Sequence, residues 1–160
     1  MRYLATLAAS VLLSVTAFAQ SGNTIYNKYA GQKRVESVYI SPAMFRMMGK
    51  LPELEIDDKD VNLAPVVKTM NGMYLVECEN RELCPKLKND VEKLVSSGKY
   101  ELMMEIREED ETVRIYTTGN EEEISSFVFF VIEDDECTFI CFDGRIPRSS
   151  FERLLTKSGS

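Results

Sequence analysis

Four cysteines are the residues with which this chain could most directly do chemistry. Cys78 and Cys84 are separated by five residues, and Cys137 and Cys141 by three. If the second pair lies on one strand, its Cα atoms are ~13 Å apart at ~3.3 Å per residue, beyond the ~6.8 Å that a disulfide allows. We therefore expect disulfides either within the Cys78–Cys84 loop or between that pair and the second one. Buried free thiols are the main alternative, since these spacings without histidine match no common zinc pattern.

Acidic residues are concentrated in three predicted turns, at 108–111, 121–123 and 133–136. Alternate turns of an antiparallel meander emerge at the same end of a sheet, so we expect the first and third turns to share one acidic rim. The carboxylates of this acidic rim are Glu108, Glu109, Asp110, Glu111, Glu133, Asp134, Asp135 and Glu136. We interpret them as charges that keep the neighbouring apolar strands soluble. Binding of a cation or of a basic partner surface is the alternative.

The chain contains no histidine, which limits the catalysis that it could support. Histidine is the usual general base near neutral pH and the commonest ligand of zinc, copper and non-haem iron. The sequence also carries no recognisable nucleophile or cofactor-binding motif. We therefore predict no enzymatic activity, no cofactor and no metal, with a hydrolase that works through paired carboxylates as the alternative.

Residues 1–19 predict a removable export signal. Arg2 supplies a positive start, an apolar stretch follows, and the small-x-small pattern of residues 17–19 is one that a signal peptidase accepts. Gln20 stands where a lipoprotein would need a cysteine. We therefore expect cleavage after Ala19 and a periplasmic or secreted product without a stable membrane anchor. Disulfides are compatible with that compartment.

The charge of the chain excludes one class of partner. The formal net charge is −7, and removal of the predicted signal makes it more negative because Arg2 is lost. Neutralisation of phosphates supplies most nucleic-acid affinity, so we expect no nucleic-acid partner. Residues 20–160 have the length of one ordinary domain.

The first half of the chain predicts mainly helices. A short helix is expected near 24–31, and a strand at 34–40 leads into Ser41-Pro42, an N-cap followed by an N1 proline. A short helix around Pro65 precedes a strand at 73–78. The longest helix is expected at 82–97, where one apolar stripe is formed by Leu83, Leu87, Val91, Leu94 and Val95.

The second half predicts a run of strands, at about 100–107, 113–117, 127–132 and 137–142. The last two are apolar on both faces, so we expect them to be central and covered from both sides. Asp143-Gly144 then predicts a turn into a last helix, with Phe151, Leu154 and Leu155 on its inner face. The order of elements predicts an α+β fold: a single domain with a mostly antiparallel sheet that ends in a four-strand meander and is packed by several helices.

The alternation of side chains along the strand at 100–107 gives Met103 an unusual position for a methionine. Strict alternation along 100–107 puts it on the same face as Glu101 and Glu105, and puts Leu102, Met104 and Ile106 together on the other face. Filling of the core is the default interpretation of the methionines, and a partner-binding patch is the alternative for an exposed methionine close to the apolar strand 127–132.

Three segments of the chain, together with the predicted export signal, resemble an exported bacterial family, the domain of unknown function 4252. They are VYISPAMFRMM at 38–48, YELMMEIREEDETVRIYTTGNEEEISSFVFFV at 100–131 and FDGRIPRSSFERLL at 142–155. The resemblance implies a cell-envelope location and one fold over nearly the whole chain beyond the signal. It implies no activity and no catalytic residues.

The functional hypothesis from the sequence is an exported cell-envelope protein that acts as a non-enzymatic binding or interaction module. Its partner is expected to be another envelope protein or a small ligand. The alternatives are a histidine-free carboxylate hydrolase and a cation-binding module on the acidic rim.

Overall fold

The computed structural model of the protein describes residues 21–48, 64–97, 100–150 and 152. The predicted export signal lies outside these residues. Within them, the helices are α1 (Gly22–Tyr29), α2 (Pro42–Met48), α3 (Ala64–Val67) and α4 (Cys84–Ser97). The strands are β1 (Val35–Ile40), β2 (Met70–Cys78), β3 (Glu101–Arg107), β4 (Glu111–Gly119), β5 (Glu123–Glu133) and β6 (Cys137–Pro147). Among the helices described, none has the length and apolar character needed to cross a lipid bilayer.

The six strands form one antiparallel sheet in the order β1-β2-β6-β5-β4-β3. Strands β3 to β6 are the predicted meander, and β2 pairs with the free side of β6. The predicted α+β fold with a mostly antiparallel sheet is therefore confirmed. The two strands that are apolar on both faces, β5 and β6, lie in the middle, while β1 and β3 form the two edges.

The main core lies between α1, α4 and one face of the sheet, which we call the helical face. Its sheet side consists of Val76, Cys78, Val128, Phe130, Cys137, Phe139 and Cys141, all buried. Its helix side consists of Ile25, Tyr29, Leu87, Val91 and Leu94. Full burial of one such aliphatic or aromatic side chain contributes about 1.5–3 kcal/mol, so this layer supplies much of the stability. The predicted apolar stripe of the longest helix is the face that packs here.

The opposite face of the sheet, the second face, is only partly buried. Phe127 and Phe129 of β5 and Ile140 and Phe142 of β6 are intermediate in exposure there. The prediction that both faces of β5 and β6 are covered is therefore met in full only on the helical face. The physical reason is that α1 and α4, among the described elements, both pack on the helical face.

Serine caps begin two of the helices. Ser21 precedes α1, and its side chain accepts a hydrogen bond of 3.2 Å from the backbone N–H of Thr24. Ser41 accepts a hydrogen bond of 3.3 Å from the N–H of Met44 at the start of α2. These bonds satisfy backbone donors that the first turn of a helix leaves without intrahelical partners. The Ser41-Pro42 prediction is thereby confirmed.

Asp143-Gly144 does not turn the chain as predicted, because β6 continues to Pro147 and the next helical residues are 148–150. A Cβ at Gly144 would lie 2.6 Å from the backbone oxygen of Thr69. The N–H of Arg145 donates to that same oxygen at 3.0 Å. Position 144 therefore requires glycine because the chain that leads into β2 approaches closely here. The glycine does not mark a turn. The predicted inner-face residues Phe151, Leu154 and Leu155 lie outside the described residues.

Candidate functional site

The edge strand β3 is the most unusual surface of the described structure. All seven of its residues are exposed, although four of them are large and apolar. Leu102, Met103, Met104 and Ile106 have exposed fractions between 43 and 52%. Apolar side chains singly scattered on a surface are ordinary, whereas four within five positions of an edge strand form a patch.

Met103 lies at an irregularity of β3, where the predicted alternation fails. Leu102 is opposite Tyr116 and Met104 is opposite Ile115, which leaves Met103 as an extra residue between two consecutive partners. Such a bulge shifts the phase of alternation along a strand. Leu102 therefore belongs to the helical face, whereas Met104 and Ile106 belong to the second face. The expectation of one common face for these three side chains is wrong for this reason.

The second face carries one apolar row that ends at this edge. Directly opposite residues along the six strands are Val38, Leu75, Ile140, Phe129, Ile115 and Met104. Opposite residues of antiparallel strands point to the same side of the sheet. The row is buried at Ile115 and exposed at its two ends, Val38 and Met104. Met104 of β3 is thus one end of an apolar row that crosses the whole sheet.

The charges on β3 are largely paired within the protein. Glu105 accepts a hydrogen bond of 2.7 Å from Arg114 and lies 2.8 Å from Arg107. These two arginines lower the pKa of Glu105. Since the charge of Glu105 is compensated by these arginines, it opposes the approach of an apolar partner less than an unpaired charge on an edge strand would.

The structure brings three of the four cysteines together. Cys78 of β2 lies opposite Cys137 of β6, and Cys84 begins α4 directly beside them. Their sulfur atoms all lie within 4.8 Å of one another, and Cys84 Sγ is 3.4 Å from Cys78 Sγ. We call these three residues the thiol cluster. All are free thiols in this structure, so the predicted disulfide stays a prediction.

Cys141 lies apart from the thiol cluster, four residues further along β6. Its sulfur atom is 3.4 Å from Ser126 Oγ and 3.5 Å from an oxygen of Asp143. Burial and the nearby Asp143 raise the pKa of this thiol. The position of Cys141 on the same strand as Cys137 agrees with the expectation that these two cannot bridge each other.

Two thiols of the cluster, those of Cys84 and Cys137, are poor nucleophiles as they stand. Burial, followed by the neighbouring Cys78, raises the pKa of Cys84 to about 11. Burial also raises the pKa of Cys137, with a further contribution from Cys84. Because the thiolate is the reactive form, a raised pKa opposes nucleophilic catalysis.

A cavity of about 260 Å³ opens next to the thiol cluster. Its walls include Cys84, Cys137, Arg81, Lys88 and the turn at 133–136. Arg81 forms an ion pair of 2.5 Å with Asp135, and both residues line the cavity. The cavity is therefore lined by two features that were considered separately in the sequence, the cysteines and one of the acidic turns.

The acidic turns at 108–111 and 133–136 emerge at the same end of the sheet. Glu111, the first residue of β4, lies directly opposite Glu133, the last residue of β5. The other members, Glu108, Glu109, Asp110, Asp134, Asp135 and Glu136, are exposed in the two turns. Cation binding by the acidic rim stays a prediction, since a concentration of exposed carboxylates alone does not define a site.

The hydrolase hypothesis requires a carboxyl group whose pKa is raised. Glu105 and Glu123 depart from the usual value in the opposite direction, because Arg114 in the first case and Arg145 in the second lower the pKa. Arg145 reaches Glu123 through two hydrogen bonds, of 2.8 and 2.9 Å. These two groups are thus arranged as stable anions and not as general acids.

One buried polar group was missed by the sequence analysis. Asp90 of α4 is only 4% exposed and accepts hydrogen bonds from Tyr29 and Lys28 of α1. The signal was present, because position 90 falls among Leu87, Val91 and Leu94 on the apolar stripe. A carboxylate there requires buried partners.

Comparison with known proteins gives a family without an assigned role. No curated protein matches the chain. The family model for the domain of unknown function DUF4252 matches residues 26–154. The match contains the thiol cluster, the acidic rim and both edge strands. Since it spans most of the sequence, the protein belongs to the DUF4252 family.

Proposed function

We propose that this protein is an exported, non-enzymatic binding module that holds an extended segment of another cell-envelope protein along β3. One observation carries the proposal: β3 is an exposed sheet edge with four large apolar side chains. The backbone N–H and C=O groups on the outer side of an edge strand are available for pairing with another strand. Addition of a strand to such an edge is an established mode of peptide recognition.

The strand has only some of the features that normally protect an edge: the irregularity at Met103 and the charged Glu101 and Arg107 are present, whereas lysine and proline are absent. Proteins block edge pairing with lysine, proline, short strands or charges that point inward. β3 has seven residues without lysine or proline, and the charge of its Glu105 is compensated by Arg114 and Arg107. An apolar edge without lysine or proline favours association, and a bound partner strand would remove its apolar side chains from water.

Charge indicates which segment fits the edge. The acidic turn at 108–111 follows directly after β3 and is exposed over Glu108, Glu109 and Asp110. A partner strand antiparallel to β3 would begin beside this turn, so basic residues at its N-terminal end would be complementary. The remainder of the strand should be apolar on both faces, because Leu102 lies on one face of the sheet and Met104 and Ile106 on the other.

The test is a binding experiment with cell-envelope extract and three forms of the immobilised protein. The first is the natural sequence, the second is Met104→Lys with Ile106→Lys, and the third is Val38→Lys. Val38 is an exposed apolar residue at 38% on the opposite edge, β1, so it controls for loss of apolar surface. We expect a protein that binds the natural form and the Val38 variant and is lost from the double variant. A photoreactive residue at Met103 should crosslink to an extended segment of that same protein.

The outcomes separate the alternatives. Equal retention on all three forms, or none above background, would count against β3 as the binding surface. Crosslinking only to a second copy of this chain would replace the partner by self-association. Circular dichroism of each variant checks that the fold is retained, since all three substituted positions are exposed.

A further inference from the structure

We propose that Cys78, Cys84 and Cys137 form a site for one thiophilic d10 cation, Zn²⁺ or Cu⁺, bound through three thiolates. The sulfur atoms lie within 4.8 Å of one another. The spacing in the sequence does not predict this, because Cys137 follows Cys84 by 53 residues. Pairing of β2 with β6 brings Cys137 beside Cys78 and Cys84.

The sulfur positions are close to those that a metal requires. A cation ~2.3 Å from three sulfur atoms holds them ~3.8–4.0 Å apart in tetrahedral or trigonal geometry. The distance from Cys84 Sγ to Cys78 Sγ is 3.4 Å, and no separation within the cluster exceeds 4.8 Å. Each distance therefore needs a change of less than about 1 Å, which side-chain rotation at Cys84 could supply.

The ligand chemistry selects the class of cation. Thiolates without imidazole favour Cu⁺ and Zn²⁺ among biological metals. Three thiolates complete a trigonal Cu⁺ site. Zn²⁺ prefers a fourth ligand, and the cavity of about 260 Å³ beside Cys84 and Cys137 gives water or a carboxylate of the 133–136 turn access to that position.

One helix end and two basic side chains offset the negative charge of such a complex, against the burial that raises the pKa of Cys84 and Cys137 and the carboxylates of the 133–136 turn. Three thiolates leave a net charge of −1 with Zn²⁺ and −2 with Cu⁺. Cys84 is the first residue of α4, a helix of 14 residues, and the N-terminal end of a helix stabilises anions. Arg81 and Lys88 line the adjoining cavity and carry positive charge.

A cation can bind all three sulfur atoms of the cluster, whereas a disulfide joins only two of them. Any disulfide among the three residues joins two sulfur atoms and leaves the third as a thiol. Cation binding breaks three S–H bonds, releases three protons to solvent and forms three metal–sulfur bonds, with no oxidant required. Cys141 is not needed, since it lies outside the cluster.

The test titrates the reduced, metal-free protein with Co²⁺ as a spectroscopic substitute for Zn²⁺, and separately with Cu⁺ against a coloured Cu⁺ chelator. We expect sulfur-to-cobalt charge-transfer absorption that saturates at one Co²⁺ per chain and is removed by one equivalent of Zn²⁺. Absence of the Co²⁺ absorption, with one Cu⁺ taken from the chelator, would assign the site to Cu⁺. Either result supports the thiophilic site.

Matched cysteine variants make the result specific. Cys84→Ser, at the most exposed of the three positions, should weaken the affinity by more than the 10–100-fold that loss of an outer-shell partner produces. Cys141→Ser should leave the affinity unchanged. The proposal fails if neither Co²⁺ nor Cu⁺ binds, or if both variants bind like the natural protein. It also fails if mass spectrometry of the protein isolated without reductant shows a disulfide within the cluster.

Discussion

Tyr29 donates a hydrogen bond of 2.7 Å to Oδ2 of Asp90, and this bond joins α1 to α4 above the helical face of the sheet. Lys28 contacts the same oxygen atom from the solvent side. Burial and the hydrogen bond to Asp90 raise the pKa of Tyr29, so its hydroxyl remains a donor throughout the physiological range. The two helices that cover the core are thus held by one buried carboxylate with two donors.

Substitution of Asp90 should destabilise the fold by more than the loss of its buried surface area alone would. Asp90→Ala leaves the buried hydroxyl of Tyr29 without its acceptor, and an unsatisfied buried polar group costs about 1–3 kcal/mol. With the lost packing, we expect the free energy of unfolding to fall by about 2–4 kcal/mol. Urea unfolding measures it, with Glu92→Ala as a control at an exposed position of α4. A change below about 0.5 kcal/mol, the range of ordinary surface substitutions, would contradict this account of Asp90.

Gly22 should not tolerate a side chain. A Cβ at this position would lie 2.6 Å from the sulfur atom of Cys141 and 2.8 Å from its Cβ. Cys141 is fully buried, so the contact is relieved only by moving α1 away from β6. We expect Gly22→Ala to lower the unfolding free energy by about 1–3 kcal/mol, as overpacked cores do.

A double-mutant cycle identifies the cause. In a Cys141→Ala background, the sulfur atom is absent and Gly22→Ala should cost less than it does in the natural sequence. Additive effects of the two substitutions would mean that the contact with the sulfur atom of Cys141 is not responsible.

Tyr100 should make the free energy of unfolding depend on pH in the alkaline range. Burial raises its pKa to about 12, and it donates a hydrogen bond of 2.9 Å to Ser126. In the unfolded chain a tyrosine ionises near pH 10. The folded protein therefore binds this proton more tightly, and the contribution to stability is complete below pH 10 and is lost as the pH rises through 12.

Urea unfolding at several pH values between 8 and 12 measures this dependence. Tyr100→Phe should make the decline in stability less steep, without removing it, because Tyr29 also has a raised pKa. Tyr39→Phe, at an exposed position of β1, serves as the control. If both variants follow the natural protein across this range, Tyr100 does not contribute in this way.

Local sequence patterns predicted most of the individual elements. The Ser41-Pro42 cap, the apolar stripe of α4 and the apolar character of β5 and β6 each depend on neighbouring residues, so they can be read along the chain. The pairing of β2 with β6 depends on residues far apart in sequence. The thiol cluster is a consequence of that pairing, and therefore no spacing of cysteines along the chain could reveal it.

Two local signals predicted the wrong structure for identifiable reasons. Asp143-Gly144 is typical of a turn, but Gly144 is needed where Thr69 approaches the strand. Alternation along 100–107 predicted one face for Leu102 and Met104, and the irregularity at Met103 separates them. The exposure of β3 was also not predictable, because only the order of strands in the sheet decides which one forms the edge.

Thr117 offers a prediction of increased stability. Its side chain is 2% exposed, and its hydroxyl oxygen has no hydrogen-bond partner among the described residues. A buried polar group without a partner is unfavourable, so Thr117→Val should raise the unfolding free energy by up to about 1 kcal/mol. Thr138→Val, at a partly exposed position on the same face, should change it by less than about 0.5 kcal/mol. Urea unfolding of both variants measures the difference, and destabilisation by Thr117→Val would show that the hydroxyl has a stabilising partner.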